Sequence, residues 1–271
     1  KHTVGAGMEK KVFWHQGKVM QRPIALVYLH GYSATRQEIS PVCEQLAAKI
    51  GANIYFARLT GHGNGAEFLA QAKASDWQQD AVQSYQLGKL IGKQVILIGY
   101  STGATLAAWL AAQGCYDIAA YIMLSPNFGL RDRRAELFRF SFLYPLLYLL
   151  VGKEHKTPVI NAKHNRYWTT TYPLVSLAEM LKLVREVRTS KVCINQPLLL
   201  AYCPDDKVLS TRAMDSFFAQ AATKQKYKII FPNCGDPQSH VLAGDILSPA
   251  NNQRLLASMA AFINAVGRQK T

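Results

Sequence analysis

Gly99-Tyr100-Ser101-Thr102-Gly103 sets a serine between two glycines. The run before it, Gln94 to Ile98, is short and apolar, as a buried strand is. The run behind it, Thr102 to Gln113, is helical in composition and closes at Gly114. A serine on such a strand–turn–helix junction has its hydroxyl lifted above the sheet. The glycines let backbones pack closely, and the helix start aims N–H groups at developing negative charge. The chemistry this suits is nucleophilic attack on a carbonyl through a tetrahedral oxyanion.

A serine hydroxyl is a weak nucleophile at neutral pH and needs an adjacent base. The seven histidines are His2, His15, His30, His62, His155, His164 and His240. Of these, only His240 falls in the loop between the last predicted strand, which ends at Phe231, and the final helix. That loop reaches the same sheet edge as Ser101. The base in turn needs a carboxylate to hold its tautomer. The loop after Tyr202 offers two, Asp205 and Asp206. Either gives the order serine, aspartate, histidine along the chain, which is the order this architecture uses. Two backbone N–H groups must receive the oxyanion. Thr102, directly after the serine, supplies one. Tyr32, in the loop His30-Gly31-Tyr32 after the strand Ile24 to Leu29, supplies the other. His30 reads as structural.

The elements that must position these residues follow an α/β pattern. An amino-terminal hairpin is expected over Lys11 to Gln21, turning at Gly17. Strands are expected at Ile24–Leu29, Asn53–Ala57, Gln94–Ile98, Ala119–Leu124, Pro197–Tyr202 and Lys226–Phe231. Helices are expected at Thr35–Ile50, Trp77–Ile91, Thr102–Gln113, Thr211–Ala222 and Asn251–Val266. The predicted fold is a mostly parallel central sheet with helices on both faces. Between Ser125 and Gln196 the alternation stops and aromatic and aliphatic residues crowd together. Residues 127–196 therefore read as an inserted helical cap on a core of 1–126 and 197–271. An insertion there rests on the carboxyl ends of the strands, where open α/β sheets bind ligands.

The chain has 271 residues, enough to bury a large core without metals or disulfides. With 49% hydrophobic and 18% charged residues its composition is globular and not that of a disordered chain. The formal net charge is +14. The basic residues are spread thinly and carry no nucleic-acid motif, so no nucleic-acid partner is expected. No Cys/His spacing fits a zinc site. The longest apolar stretch, Phe140 to Val151, contains Pro145 and falls short of the ~20 residues that span a bilayer.

The constellation resembles the α/β-hydrolase superfamily and, within it, the monoglyceride lipase, lysophospholipase and carboxylesterase group. The resemblance runs almost the full length. It rests on His30-Gly31-Tyr32, on Arg58-Leu59-Thr60-Gly61-His62-Gly63 with Asp76-Trp77 and Asp80 following, on Gly99 to Gly103, on Asp206-Lys207-Val208 and on Ser239-His240. It favours Asp206 over Asp205 through the spacing to Val208, so the implied catalytic residues are Ser101, Asp206 and His240. It implies cleavage of carboxylic esters through an acyl-enzyme, without metal or organic cofactor. The apolar cap favours esters of single acyl chains, with thioesters or small peptides as the alternative, and a non-catalytic lipid-binding protein as the reading that the intact serine, aspartate and histidine argue against. The His62 loop reads as structural. Pro237 and Gln238 crowd the segment ahead of His240.

Two further expectations concern surroundings. Cys203 and Cys234 follow neighbouring strands and are expected close together, either bonded or as two thiols. A bond implies an oxidising compartment. Arg131, Arg133, Arg134 and Arg139 precede the apolar run of the cap, a composition suited to peripheral contact with an anionic membrane. The alternative is that this run packs onto the core and lines the pocket. Bacterial periplasm or a membrane-associated location is thus favoured over cytoplasm.

Overall fold

The computed structural model describes residues 4–190 and 192–268, the side chains of residues 133, 139, 141, 147, 151 and 268 excepted. In chain order the elements are β1 (Lys11–Phe13), β2 (Arg22–Leu29), α1 (Val42–Ile50), β3 (Asn53–Phe56), α2 (Ala66–Gln71), α3 (Ala74–Ile91), β4 (Gly92–Tyr100), α4 (Thr102–Gln113) and β5 (Ile118–Leu124). There follow α5 (Tyr144–Val151), β6 (Glu154–Lys156), α6 (Ala162–Tyr167), β7 (Thr171–Pro173), α7 (Ser176–Thr189), β8 (Leu198–Tyr202), α8 (Thr211–Gln220), β9 (Lys226–Ile230) and α9 (Asn252–Arg268). The main sheet runs β1-β3-β2-β4-β5-β8-β9, with β1 antiparallel and every other pair parallel.

Side chains alternate across the sheet because the strand period is two. Ala25, Val27 and Leu29 of β2 and Val95 and Leu97 of β4 pack with α3 and α4 on one face. Leu26, Tyr28, Ile96, Ile98 and Tyr100 face the other way, against α1 and α9. Both faces are buried, which explains why the central strands read as continuous apolar runs.

Two expectations change. The amino-terminal hairpin does not form: β1 pairs with β3, Lys11 opposite Phe56, so β3 lies between β1 and β2. The strand after Gly17 already has β3 and β4 as partners, which leaves β1 only the free edge of β3. The helix expected over Thr35–Ile50 is broken. A short 3₁₀ turn at Arg36–Glu38, capped by the Thr35 hydroxyl, is separated from α1 by Ile39-Ser40-Pro41. Proline offers no N–H and pushes the residue before it out of helical geometry. This break turns Glu38 into the protein interior, where it is buried.

Between β5 and β8 the chain carries 3₁₀ turns at Arg133–Arg139 and Ser141–Leu143, helices α5 to α7, and the antiparallel pair β6–β7, which the purely helical expectation lacks. α7 is amphipathic and buries Leu177, Met180, Leu181, Val184 and Val187 at helical spacing. Its Glu186 binds Gln78 of α3 and Trp109 of α4. α5 presents apolar side chains outward instead: Leu149 is 83% exposed, and Phe142 just before the helix 76%. Among the described residues no helix is long and apolar enough to cross a membrane.

Candidate active site

Ser101 stands between β4 and α4 with φ 49° and ψ −114°, a conformation that an L-residue holds only under strain. The turn is held from both sides. The Ser101 amide donates to Leu124 O at 2.9 Å, and the Asn127 amide donates to Ser101 O at 3.1 Å. A Cβ on Gly99 would lie 2.5 Å from Ala104 Cα, and one on Gly103 2.0 Å from Leu29 O, so both flanking positions require glycine. Ser101 is 7% exposed. Thr102 heads α4, whose first N–H groups have no intrahelical carbonyl to meet.

The loop after β8 delivers Asp206. Its Oδ1 accepts the Val208 and Leu209 amides, both at 2.8 Å, and its Oδ2 meets His240 Nδ1 at 2.8 Å. Asp206 is buried and Asp205 is exposed. Arg131 Nη1 donates to Asp206 O at 2.7 Å.

His240 is fixed through its backbone. Asp236 Oδ2 accepts the amides of His240 and Val241, and its Oδ1 accepts that of Gln238. Tyr100 Oη and Ser125 Oγ donate to His240 O at 3.1 and 2.8 Å, and Tyr100 Oη also accepts the Leu242 amide. Tyr100 directly precedes Ser101, and Ser125 directly follows Leu124, the acceptor of the Ser101 amide. The histidine loop is thereby tied to the serine turn. Burial opposes protonation of His240. The Asp206 carboxylate, by charge and hydrogen bond, with Asp236 and Glu38 adding to it, outweighs that and holds the imidazole above the usual histidine range. With Nδ1–H directed to Asp206, Nε2 carries the lone pair.

The loop after β2 lies against the serine: a Cβ on Gly31 would be 3.2 Å from Ser101 Cβ. His30 is structural in its contacts. Its Nδ1 lies 2.8 Å from Gly31 O, and its Nε2 accepts the Leu59 amide at 3.0 Å. Burial pushes His30 down to about 4, so it stays neutral. The Tyr32 ring is met edge-on by His62, Trp77 and Tyr172, and its hydroxyl donates to Ser176 of α7. The His62 loop is braced by Asp80 Oδ2, which accepts from the Thr60 amide and hydroxyl, and by Trp77 Nε1, which donates to Thr60 O. His62 is pushed down to about 3 by burial.

The structure thus brings Ser101, Gly31, Asp206 and His240 to one edge of the sheet. The strands' common direction explains it: β2, β4, β8 and β9 run parallel, so the loops that follow them emerge together. The sequence reading misses Glu38, Asp236 and Tyr100 Oη. Asp236, four residues before His240, carries a readable signal, since a short carboxylate readily accepts the amides that follow it. Cys203 and Cys234 are free thiols, and burial, with Cys203 nearby, pushes the Cys234 thiol well up. A cleft of about 560 Å³ between α7, α8 and Phe128–Leu130 does not include Ser101, Asp206 or His240.

Residues 21–235 match the Hydrolase_4 family, described as serine aminopeptidase, S33. The chain belongs to that family. Its fold is that of the α/β hydrolases. The thermostable monoacylglycerol lipase of Bacillus sp. (strain H-257) is 24% identical to this chain over 204 residues, 75% of this chain and 79% of that one. A solved structure from LipS and LipT, two metagenome-derived lipolytic enzymes, superposes with a TM-score of 0.77 at 18% identity, covering 97% of this chain and 100% of the other. A soluble variant of monoglyceride lipase from Saccharomyces cerevisiae, in complex with a substrate analogue, superposes with a TM-score of 0.70 at 12% identity, covering 95% and 91%.

Proposed function

We propose that this family member hydrolyses carboxylic esters of single acyl chains, such as monoacylglycerols or lysophospholipids, through an acyl-enzyme on Ser101. The observation that carries the reading is the 2.8 Å contact between buried Asp206 and His240 beside a serine on a strained glycine-flanked turn. Ser101 Oγ attacks the ester carbonyl while His240 Nε2 takes its proton. Asp206 stabilises the imidazolium that results. The oxyanion is received by the amides of Tyr32 and Thr102. His240 then gives its proton to the leaving alcohol, and water repeats the sequence on the acyl-enzyme. Each oxyanion donor is worth about 3–4 kcal/mol of barrier.

The single-chain assignment draws on the similarity to a monoacylglycerol lipase and on the apolar character of the inserted segment. In this reading residues 127–196 act as a cap over the core of 1–126 and 197–271. The exposed Phe142, Leu146, Leu149 and Leu150, with the cap's basic start, act as a peripheral contact for anionic membrane. A membrane-associated or bacterial periplasmic location fits that contact.

The test is a hydrolysis screen over glycerol and p-nitrophenyl monoesters from acetate to palmitate, run beside Ser101→Ala. Medium-to-long chains should be preferred, and Ser101→Ala should lose about 10⁴-fold or more while remaining folded. Activity confined to acetate-sized or strongly polar esters contradicts the single-chain reading. Faster cleavage of amino-terminal peptide bonds than of any ester assigns the chemistry to the family's aminopeptidase description instead.

A further inference from the structure

Glu38 is a buried carboxyl that the proposed mechanism does not use. Its Oε1 accepts the Gly31 amide at 2.7 Å and the Tyr28 hydroxyl at 2.6 Å. Its Oε2 lies 3.0 Å from the point a Gly31 Cβ would occupy, and Ser101 Cβ lies 3.2 Å from that same point. The carboxyl and the serine thus flank one face of Gly31.

Glu38 is also wedged from behind. A Cβ on Gly244 would be 2.3 Å from Glu38 O, and the Asp245 amide donates to Ser40 O at 3.0 Å. The short turn carrying Glu38 is therefore fastened to the loop that follows His240. The backbone that carries the carboxyl is thereby fixed, and the carboxyl itself is held by the Gly31 amide and the Tyr28 hydroxyl.

Gly31 has no side chain to restrict it, and a free glycine samples many backbone conformations. Here its carbonyl faces His30 Nδ1 and accepts the Ala34 amide, while its N–H is taken by Glu38. The next amide along is that of Tyr32. An oxyanion donor works only if it is aimed before the charge develops.

We propose that Glu38 is a positioning residue for the reaction: its carboxyl clamps the Gly31 amide from the buried side and so fixes the direction of the Tyr32 amide toward the oxyanion. This rests on the reading of Ser101 as the nucleophile. A carboxyl buried without need is costly, and glutamine would supply the same acceptor without charge. The charge has a second target. Glu38 accepts from Tyr28 of β2 and lies within electrostatic reach of Cys43 from α1, Tyr100 from β4 and the imidazole of His240. Burial pushes Glu38 up to about 7, opposed by the Tyr28 and Gly31 hydrogen bonds and by His240.

The test compares Glu38→Ala and Glu38→Gln with wild type and Ser101→Ala, all checked for a cooperative melt. Readouts are kcat and KM on a medium-chain p-nitrophenyl ester, the pH profile, and inhibition by an alkyl trifluoromethyl ketone, which forms an oxyanion on the serine. Glu38→Ala should lower kcat and weaken ketone binding by about 10²-fold or more, with KM nearly unchanged, as loss of an oxyanion donor does. Glu38→Gln should recover to within about tenfold of wild type, because it keeps the acceptor, while its acid limb moves to lower pH. Wild-type kcat in Glu38→Ala overturns the proposal. Equal loss in both variants with an unmoved acid limb also overturns it. If Glu38→Ala does not fold, Glu38→Gln decides: an unmoved acid limb with kcat more than about tenfold below wild type overturns the proposal. Retained turnover in Ser101→Ala would overturn the nucleophile assignment instead.

Discussion

Asp206 and His240 are 34 positions apart in the chain and meet at 2.8 Å, Oδ2 to Nδ1. The other carboxylate oxygen of Asp206 accepts two amides of its own loop, so the contact is aimed by the backbone and not by side-chain packing alone. Asp206→Asn should therefore lower kcat by about 10⁴-fold, as loss of tautomer control does in a serine–histidine–aspartate system. Asp205, exposed next door, should tolerate the same change within about threefold. Steady-state kinetics of the two variants decide it, and a crippled Asp205→Asn would reverse the assignment.

The pH dependence follows from two raised groups. In the proposed mechanism His240 must be neutral to act as base, and its folded pKa lies above 6.5, so activity should fall as pH drops through that raised value. Stability runs the opposite way. The folded protein binds a proton at His240 more tightly than the unfolded chain, so this contribution is present below pH 6.5 and lost as pH rises through the folded value. Glu38, raised from 4.5 to about 7, adds to the same fall between those values. The melting temperature should decline between pH 6 and pH 8 and do so less in Glu38→Gln; a melt that rises over that window contradicts both directions.

Asp236 accepts three amides of the His240 loop while itself buried. Asp236→Ala should destabilise the protein by about 2–4 kcal/mol, because buried amides lose their acceptor. It should also lower kcat more than it raises KM, since the imidazole loses its backbone frame. Denaturant unfolding and kinetics measure the two effects, and a variant with wild-type stability and kcat would show the cage to be dispensable.

The serine turn was legible because glycine at 99 and 103 is sterically obligatory there, and steric necessity leaves a trace in sequence. His240 and Asp206 were legible because parallel strands deliver their following loops to one edge. Glu38 was not. It lay within a stretch with helical periodicity, and only the break at Pro41 turns it inward. Tyr100 read as one more apolar strand residue. Its hydroxyl proves to join two loops 140 positions apart, a long-range pairing that no local pattern reports. The amino-terminal hairpin failed for a related reason: a turn at Gly17 is local, but the partner of β1 was set by which sheet edge stayed free.

Phe142 and Leu149 are exposed at 76% and 83% beside a basic segment. Arg134 there is paired with Asp132 at 2.8 Å, and the Arg133 side chain lies outside the described residues. If this surface meets anionic membrane, Phe142→Ser with Leu149→Ser should weaken binding to phosphatidylserine-containing vesicles, with hydrolysis of a soluble ester unchanged. Binding should also weaken with salt, since exposed charges are screened within ~10 Å at 0.1 M. Equal vesicle sedimentation of wild type and double variant would place the contact elsewhere.

Ser101→Gly and Ser101→Ala should both be inactive, yet the glycine variant should be the more stable by about 1 kcal/mol, because φ 49° with ψ −114° strains any side chain. Thermal unfolding of the pair measures it. Equal melting temperatures would mean that the turn stores no strain at the serine.

The most direct measurement is peptide mapping by mass spectrometry after treatment with an alkyl fluorophosphonate. One label per chain on the peptide containing Ser101, absent when Asp206→Asn or His240→Ala protein is treated for the same time, is the result expected of a serine activated by His240. Label on another residue, or no label on folded protein that still hydrolyses esters, would contradict the assignment of Ser101.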